Sequence, residues 1–546
     1  MFITMTLFIL AGCQTVETSS PTSNTTTSEM VSSESETSTM LTEEETTSLP
    51  TSETPTTTIT PTTIEETTVL PTTRIPTTEI ISTDSIDTLV EINLFSINDF
   101  HGGAYSDIQM ISNISAYLNA FEGHQIALSN GDIFQGTAIS NYYHGQVLVD
   151  ALNLGGFDGF VIGNHEFDWG IDVIGQYRDG EESNGELNHP VLAANIVHED
   201  TQEPLDFTQP YIIEEVEGVR VGIIGLIGLL ENSIAASRLD NILFLDPVDT
   251  AATYARILRE DFDVDIVAVY IHDTSERNHE YAALSGLERI DAMFNAHNHR
   301  YETTYIRRDG MDMPYAQMNN DDVSLVHIQL IYDTSASEIF GFSIDGIENY
   351  QMHMTDPLVD DIIYEYANDQ TYLSFINEVL TESQGYYDRD DLAKWGASVI
   401  RDYAGVDIGA TNAGGFRVSM NPGELTMGEL ITIYPFDNVI KTSRMTGQQI
   451  LDFYLEIESY GSDVVFDDGV IYNQDTETLE INGRPIDLQQ YYTVGAVDYI
   501  FDKNYYDFIE GTDIRQTIYY MRDLLAMDLR HATNGFNPYH GTYINE

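Results

Sequence analysis

Between residues 89 and about 343, short apolar runs alternate with stretches whose apolar positions recur at helical spacing. The runs predict strands over 90–97, 125–129, 157–162, 190–195, 220–226, 266–271, 291–295 and 325–332. The spaced stretches predict helices around 108–121, 145–154 and 248–261. Apolar runs without polar alternation are what strands covered on both faces require. The region therefore reads as a layered α/β domain whose sheets are covered by helices. Residues 356–380 read as a helical connector. From 392 to the end, helices alternate with short strands around a separate Gly-rich motif.

The first 88 residues follow neither period. Residues 14–88 are dominated by Thr, Ser, Glu and Pro, with repeated Pro-Thr-Thr units near Pro61, Pro71 and Pro76. Such a stretch cannot bury enough apolar surface to offset its ordering entropy, and it is expected to be an extended, disordered stalk. Before it, Leu10-Ala11-Gly12-Cys13 resembles a bacterial lipobox, and Cys13 is the single cysteine of the chain. Residues 1–13 are thus expected to act as a lipoprotein-type signal peptide with acylation at Cys13. The usual basic leader region is lacking, since no Lys or Arg precedes Arg74. A formal charge of −67, from 89 acidic against 22 basic residues, argues against binding of nucleic-acid polymers or of anionic membrane through the protein surface. Membrane contact is expected only through the lipid, which places the protein outside a bacterial cell, at its surface.

Chemistry-bearing residues stand at the ends of the apolar runs. Asn98-Asp99-Phe100-His101 follows the first strand, and the i, i+2 spacing directs Asp99 and His101 to one side as an oxygen and an imidazole ligand. Asn130-Gly131-Asp132 follows the second and supplies a carboxylate able to bridge two ions. Gly163-Asn164-His165-Glu166-Phe167-Asp168 follows the third. Tyr270-Ile271-His272-Asp273 and Asn295-Ala296-His297-Asn298-His299 end two more. Five of the 14 histidines thus lie at strand ends beside Asp or Asn, where open α/β folds place their sites. The other nine, His124, His189 and His353 among them, are assigned ordinary solvated or packed roles.

Taken in order, these five motifs resemble the calcineurin-like metallophosphoesterases. With the downstream motifs Thr411-Asn412-Ala413-Gly414-Gly415-Phe416-Arg417, Pro435-Phe436-Asp437-Asn438 and Asp498-Tyr499-Ile500-Phe501, the chain resembles their 5′-nucleotidase family. The resemblance implies an N-terminal sandwich of two mixed β-sheets flanked by helices (89–345), a helical connector (346–382) and a C-terminal α+β substrate-binding domain (383–546). It implies two divalent ions (Mn, Zn, Co or similar), one held by Asp99, His101, Asp132 and His299, the other by Asp132, Asn164, His272 and His297. It assigns His165, oriented by Asp168, to the reacting phosphate, and leaves Glu166 a supporting role. It places Asn412 and Arg417 on the nucleotide and Phe436 and Tyr499 on either face of the base, in a domain that swings to bring the nucleotide to the metals. The implied activity is hydrolysis of nucleoside 5′-monophosphates, with 2′,3′-cyclic nucleotides within reach. The alternatives are other phosphoesters or nucleotide-diphosphate sugars, and a surface adhesin that has kept the fold. The chain departs from the family pattern at Ala296, where a glycine is usual, and at Asp502-Lys503-Asn504-Tyr505, which replaces a Gly-Gly-Asp segment. An upstream substrate arginine is displaced, with Asp391 in its register and Arg389 and Lys394 nearby.

Overall fold

The computed structural model describes residues 88–104, 107–181 and 184–544, so the leader and all of the stalk except Thr88 lie outside the described residues. The first sheet forms around Leu89–Ile97 (β1), buried at every position from Ile92 onward because both faces are covered. β1 pairs in parallel with Gln125–Asn130 (β2), which pairs in parallel with Gly159–Val161 (β3). On its other side β1 runs antiparallel to Val323–Asp333, within a mixed sheet of seven strands.

A second mixed sheet of six strands has Ile266–His272 (β4) near its middle, parallel to Val219–Ile227 and to Ala292–Phe294 (β5). One core cluster joins side chains of both sheets, including Leu94, Phe160, Ile223 and Tyr270. The Tyr270 hydroxyl crosses between sheets to donate to the Phe95 carbonyl at 3.0 Å. All eight expected strands and the three expected helices are present. The helices are Met110–Ala120 (α1), Gln146–Leu154 (α2) and Pro247–Phe262 (α3). α3 shows how its limits are written locally. Asp246 accepts from the amides of Val248 and Asp249, Pro247 occupies the first turn, and Asp263 ends the helix at φ 51°.

The stretch expected as a connector is helical. Its helices Pro357–Ala367 and Gln370–Ile376 bury Val359, Ile363 and Tyr372 in the first core. A separate core runs from Leu380 to Tyr543 around a five-stranded sheet. There Tyr491–Val497 (β8) lies between Ile408–Asn412 (β6), in parallel, and Val439–Thr446 (β7), antiparallel. Arg389–Ala404 (α4) and Met521–His531 (α5) pack together over this core, joined by the buried bond from Trp395 Nε1 to Asp528 at 2.9 Å. The result is an α/β sandwich followed by an α+β domain. Among the described residues no helix is long and apolar enough to cross a membrane.

Asn130 closes the sandwich where the site begins. Its Nδ2 faces the carbonyls of Ile271, Phe294 and Asn295 at 3.2–3.3 Å, tying the end of β2 to the ends of β4 and β5. Asn130→Ala leaves buried carbonyls unmatched, which costs about 1–3 kcal/mol. Calorimetry with divalent cation in excess should show Tm lowered by several degrees; an unchanged Tm would mean the two sheets do not depend on this tie.

Candidate metal centre and substrate cavity

The candidate metal ligands follow strand ends on one edge of the sandwich. Asp99 follows β1, Asp132 follows β2, Asn164 follows β3, His272 ends β4, and His297 and His299 follow β5. Their backbones turn sharply there. Asp99, His101, Asp132, His297 and His299 all have φ between 49° and 75°, a region that residues with a Cβ seldom occupy. Such conformations cost about 1–3 kcal/mol each and persist only where the surroundings impose them. Here the amides of Asp99, His101 and Gly102 donate to the carbonyls of Gly131, Asp132 and Ile133, locking the first loop onto the second.

Two carboxylates form the middle of the cluster. Asp99 is fully buried and receives the His297 amide on both oxygens, at 3.1 and 2.9 Å. Asp132, 1 % exposed, receives the His165 amide at 2.7 Å on Oδ1, and His272 Nε2 stands 3.0 Å from its Oδ2. Burial pushes the Asp99 carboxyl above its usual range. Burial opposes the ionised form of Asp132 too, but the imidazoles of His272 and His165 outweigh it and hold that group well below the ordinary range.

The imidazoles are aimed from behind. His272 Nδ1 bonds the Asn130 carbonyl at 2.9 Å, which turns Nε2 toward Asp132, and His101 Nδ1 bonds the Gln135 carbonyl at 2.9 Å. This is how metal-ligating histidines are commonly fixed in tautomer and direction. The donor atoms of Asp99, His101 and His299 lie within 4.8 Å of one another, as do those of Asp132, His272 and His297. Asn164 Oδ1 stands 2.8 Å from His297 Nδ1. All seven expected ligands therefore converge. Hard oxygens mixed with imidazoles suit Mn, Zn or Co, and two carboxylates buried together call for positive charge beside them. The residues fit a pair of divalent ions.

Glu166 has the supporting role. Its buried carboxylate accepts the amides of Asp132, Ile133 and Gly163 at 2.7–2.9 Å, so one side chain ties the loop carrying Asp132 to the loop carrying Asn164. The loops also need glycine. A Cβ on Gly163 would collide with Asp132 Oδ1, and one on Gly131 would stand 2.5 Å from His272 Nδ1. Ala296, by contrast, keeps a negative φ, so the usual glycine is dispensable at that position.

His165 also falls within 4.8 Å of donor atoms of His101 and Asp132. Its other contacts set it apart. Nδ1 is 2.7 Å from Asp168 Oδ2, and the ring stacks against Phe436 of the second domain at 5.9 Å and 24°. Burial depresses the imidazole, but the carboxylates of Asp168 and Asp132 more than compensate, leaving its pKa raised.

A cavity of about 250 Å³ begins at this cluster and extends into the second domain. Asn412, Arg417, Phe436 and Tyr499 all line it, together with Asp132, Asn164, His165, Asp168, His297 and His299. The two aromatic rings are half-buried, and neither packs on the other. The Arg417 guanidinium lies 5.9 Å from the centre of the Phe436 ring. The residues near the displaced arginine do not line the cavity: Asp391 accepts from the Tyr539 hydroxyl at 2.7 Å, and Arg389 reaches the Ala413 carbonyl at 3.4 Å.

Sequence reasoning missed several residues of the wall. Ser233, Ala235 and Arg238 come from a stretch of the first domain with no apolar period to flag it, and Asp463 comes from the turn before the strand Val464–Phe466. Asn438 lay inside a quoted motif. Its Nδ2 donates to Asp498 Oδ1 at 2.9 Å and its Oδ1 accepts from Tyr434 at 3.0 Å, so its amide is fixed in direction.

A family model described as the 5′-nucleotidase C-terminal domain matches residues 362–508. The trifunctional nucleotide phosphoesterase YfkN of Bacillus subtilis is 23 % identical over 410 residues, covering 66 % of this chain and 27 % of that protein. The cell wall protein Lmo0130 of Listeria monocytogenes is 23 % identical over 512 residues, covering 76 % of this chain and 63 % of its own length. The chain thus spans about a quarter of the first relative and less than two thirds of the second. The crystal structure of a 5′-nucleotidase precursor from Thermus thermophilus shares the fold, with a TM-score of 0.65 at 18 % identity over 81 % of this chain and 96 % of that one. The chain thus carries a match to the 5′-nucleotidase C-terminal domain over residues 362–508 and shares its overall fold with a 5′-nucleotidase precursor.

Proposed function

We propose that the protein is a dimetal phosphoesterase that hydrolyses nucleoside 5′-monophosphates, with 2′,3′-cyclic nucleotides as further substrates. One observation carries the reading: a single cavity is lined by Asp132, Asn164, His297 and His299 of the metal-ligand cluster and by Asn412, Arg417, Phe436 and Tyr499 of the second domain. Asp99, His101, Asp132 and His299 would hold one ion, and Asp132, Asn164, His272 and His297 the other, with Asp132 shared. When bound, the ions supply an acidified water and a clamp on the phosphoryl oxygens. For a 5′-monophosphate, the water oxygen bonds to phosphorus as the P–O5′ bond breaks; the water gives up one proton and the departing O5′ takes one up, so phosphate and nucleoside are the products.

His165 is the group for that end of the reaction. Asp168 holds its Nδ1 and so directs Nε2 away from the carboxylate, where it can stabilise charge on the phosphate or give its proton to the leaving oxygen. Arg417 steers the anion. Phe436 and Tyr499 take the faces of the base, a contact tolerant of base identity. The ligand set also weighs against an adhesin, which has no use for it. A place at a bacterial cell surface, held by a lipid on Cys13, is part of the proposal. The lipobox-like start and the likeness to a cell wall protein support it.

Two results test this reading. His165→Ala should keep its metals and lower turnover of every phosphoester by about 10² to 10⁴, the range for a lost acid or charge-stabilising group; metal loss in this variant would make His165 a ligand instead. Tyr499→Ala should lower kcat/KM for AMP by roughly 5- to 150-fold relative to that for bis-p-nitrophenyl phosphate, since stacking on one ring contributes about 1 to 3 kcal/mol. Phe436 is a poorer probe because its ring also packs on His165. An unchanged ratio for Tyr499→Ala would reduce the proposal to a phosphoesterase of other substrates.

A further inference from the structure

Lys503 is an unusual lysine in this chain. It is 5 % exposed, although the surface is rich in acids that could pair with it in solvent. Its ammonium instead lies over the face of Tyr499, 4.3 Å from the ring centre. It donates across the domain boundary to the carbonyls of Asn232 and Ile234, the latter at 3.3 Å. Both acceptors belong to the first-domain segment that supplies Ser233 and Ala235 to the cavity, and Tyr499 lines the same cavity from the second domain. Lys503 does not itself line the cavity among the described residues.

We propose that Lys503 is a positioning residue that sets the width and register of the nucleotide slot by clamping the Tyr499 ring to the 232–234 backbone of the other domain. The inference rests on the reading of Tyr499 as a base-stacking ring. The physical basis is that a desolvated ammonium binds an aromatic face and carbonyl oxygens far more strongly than an exposed one does. Burial pulls the Lys503 ammonium down to about 8, offset in part by Asp463 and Asp502.

Other contacts cross the same boundary but do not involve Tyr499. Asn141 Nδ2 donates to the Pro435 carbonyl at 2.9 Å, Ser237 Oγ donates to Asp498 at 3.4 Å, and His165 stacks on Phe436. Losing the lysine should therefore leave the domains docked and the metal ligands in place. What it should loosen is one ring and one loop, both of which line the cavity.

The test uses the full chain loaded with Mn²⁺. Lys503→Met keeps an unbranched apolar stem and removes the charge and its three donors; Lys503→Arg keeps a cation for the ring and donors for the carbonyls. For Lys503→Met, KM for AMP should rise about tenfold, the loss expected from a buried cation–π contact with its charged hydrogen bonds, while kcat changes by less than about threefold. KM for bis-p-nitrophenyl phosphate should not move. Hydrogen exchange at amides 232–236 should be faster in Lys503→Met than in wild type, and Lys503→Arg should fall nearer wild type on both readouts.

An unchanged KM for AMP in Lys503→Met, with Tyr499→Ala still raising it, would overturn the clamp and leave the substrate reading standing. Equal rises in KM for both substrates would make Lys503 an ordinary structural residue and likewise overturn it. If Tyr499→Ala also leaves KM for AMP unchanged, the base-stacking reading fails and the clamp with it. Should Lys503→Met not fold, Lys503→Arg decides alone: AMP kinetics and loop exchange near wild type uphold the clamp, and a tenfold rise in KM despite the retained cation overturns it.

Discussion

Everything at the centre of this protein depends on holding two carboxylates, Asp99 and Asp132, side by side out of water. Two buried negative charges are tolerable only with positive charge and N–H groups arranged around them. The chain supplies the N–H groups from backbone, through the amides of His297 and His165, and supplies imidazoles from three different strand ends. Divalent ions held there would bring the remaining positive charge. The left-handed backbone at five of the seven candidate ligands, and the glycines at 131 and 163 with no room for a side chain, follow from packing that many donors into one small volume.

The sandwich makes that volume possible. β1, β2 and β3 run parallel in one sheet and β4 and β5 run parallel in the other, so their carboxyl ends meet along one edge. Asn130 and Glu166 then tie the loops of one edge together, one across the sheets and one between neighbouring strands. The second domain meets this edge, where Phe436 stacks on His165. Residues of both domains line one cavity, and Tyr499 and Lys503 lie outside the set of candidate metal ligands.

Much of this was legible in the sequence because of where the residues lie. Parallel strands covered on both faces read as unbroken apolar runs, and the candidate ligand motifs stand directly after them, so the strands and the residues that converge at their ends could be read off. Antiparallel edges could not. Glu338–Glu348 is only partly buried along its length and shows no run to detect. That the expected connector helices pack into the first core was not legible, because their few apolar positions, Val359, Ile363 and Tyr372, look the same whether they cover a sheet or bridge two bodies. The cavity wall from Ser233 to Arg238, and the carboxylate of Asp463, come from irregular segments whose role is set only by what folds against them. Lys503 was visible as a departure from the family's Gly-Gly-Asp, but its purpose depends on a backbone carbonyl 271 positions earlier in the chain, which no local pattern reveals.

The central claim is that Asp99, Asp132 and five partners form one centre for two ions, with Asp132 shared between them. The direct measurement is elemental analysis of the purified full chain after loading with Mn²⁺ or Zn²⁺ and removal of excess, in wild type and in Asp132→Ala. The account predicts close to two ions per wild-type chain and loss of both in Asp132→Ala, because a shared carboxylate serves each. One ion or fewer in wild type, or a variant that keeps two, would contradict it.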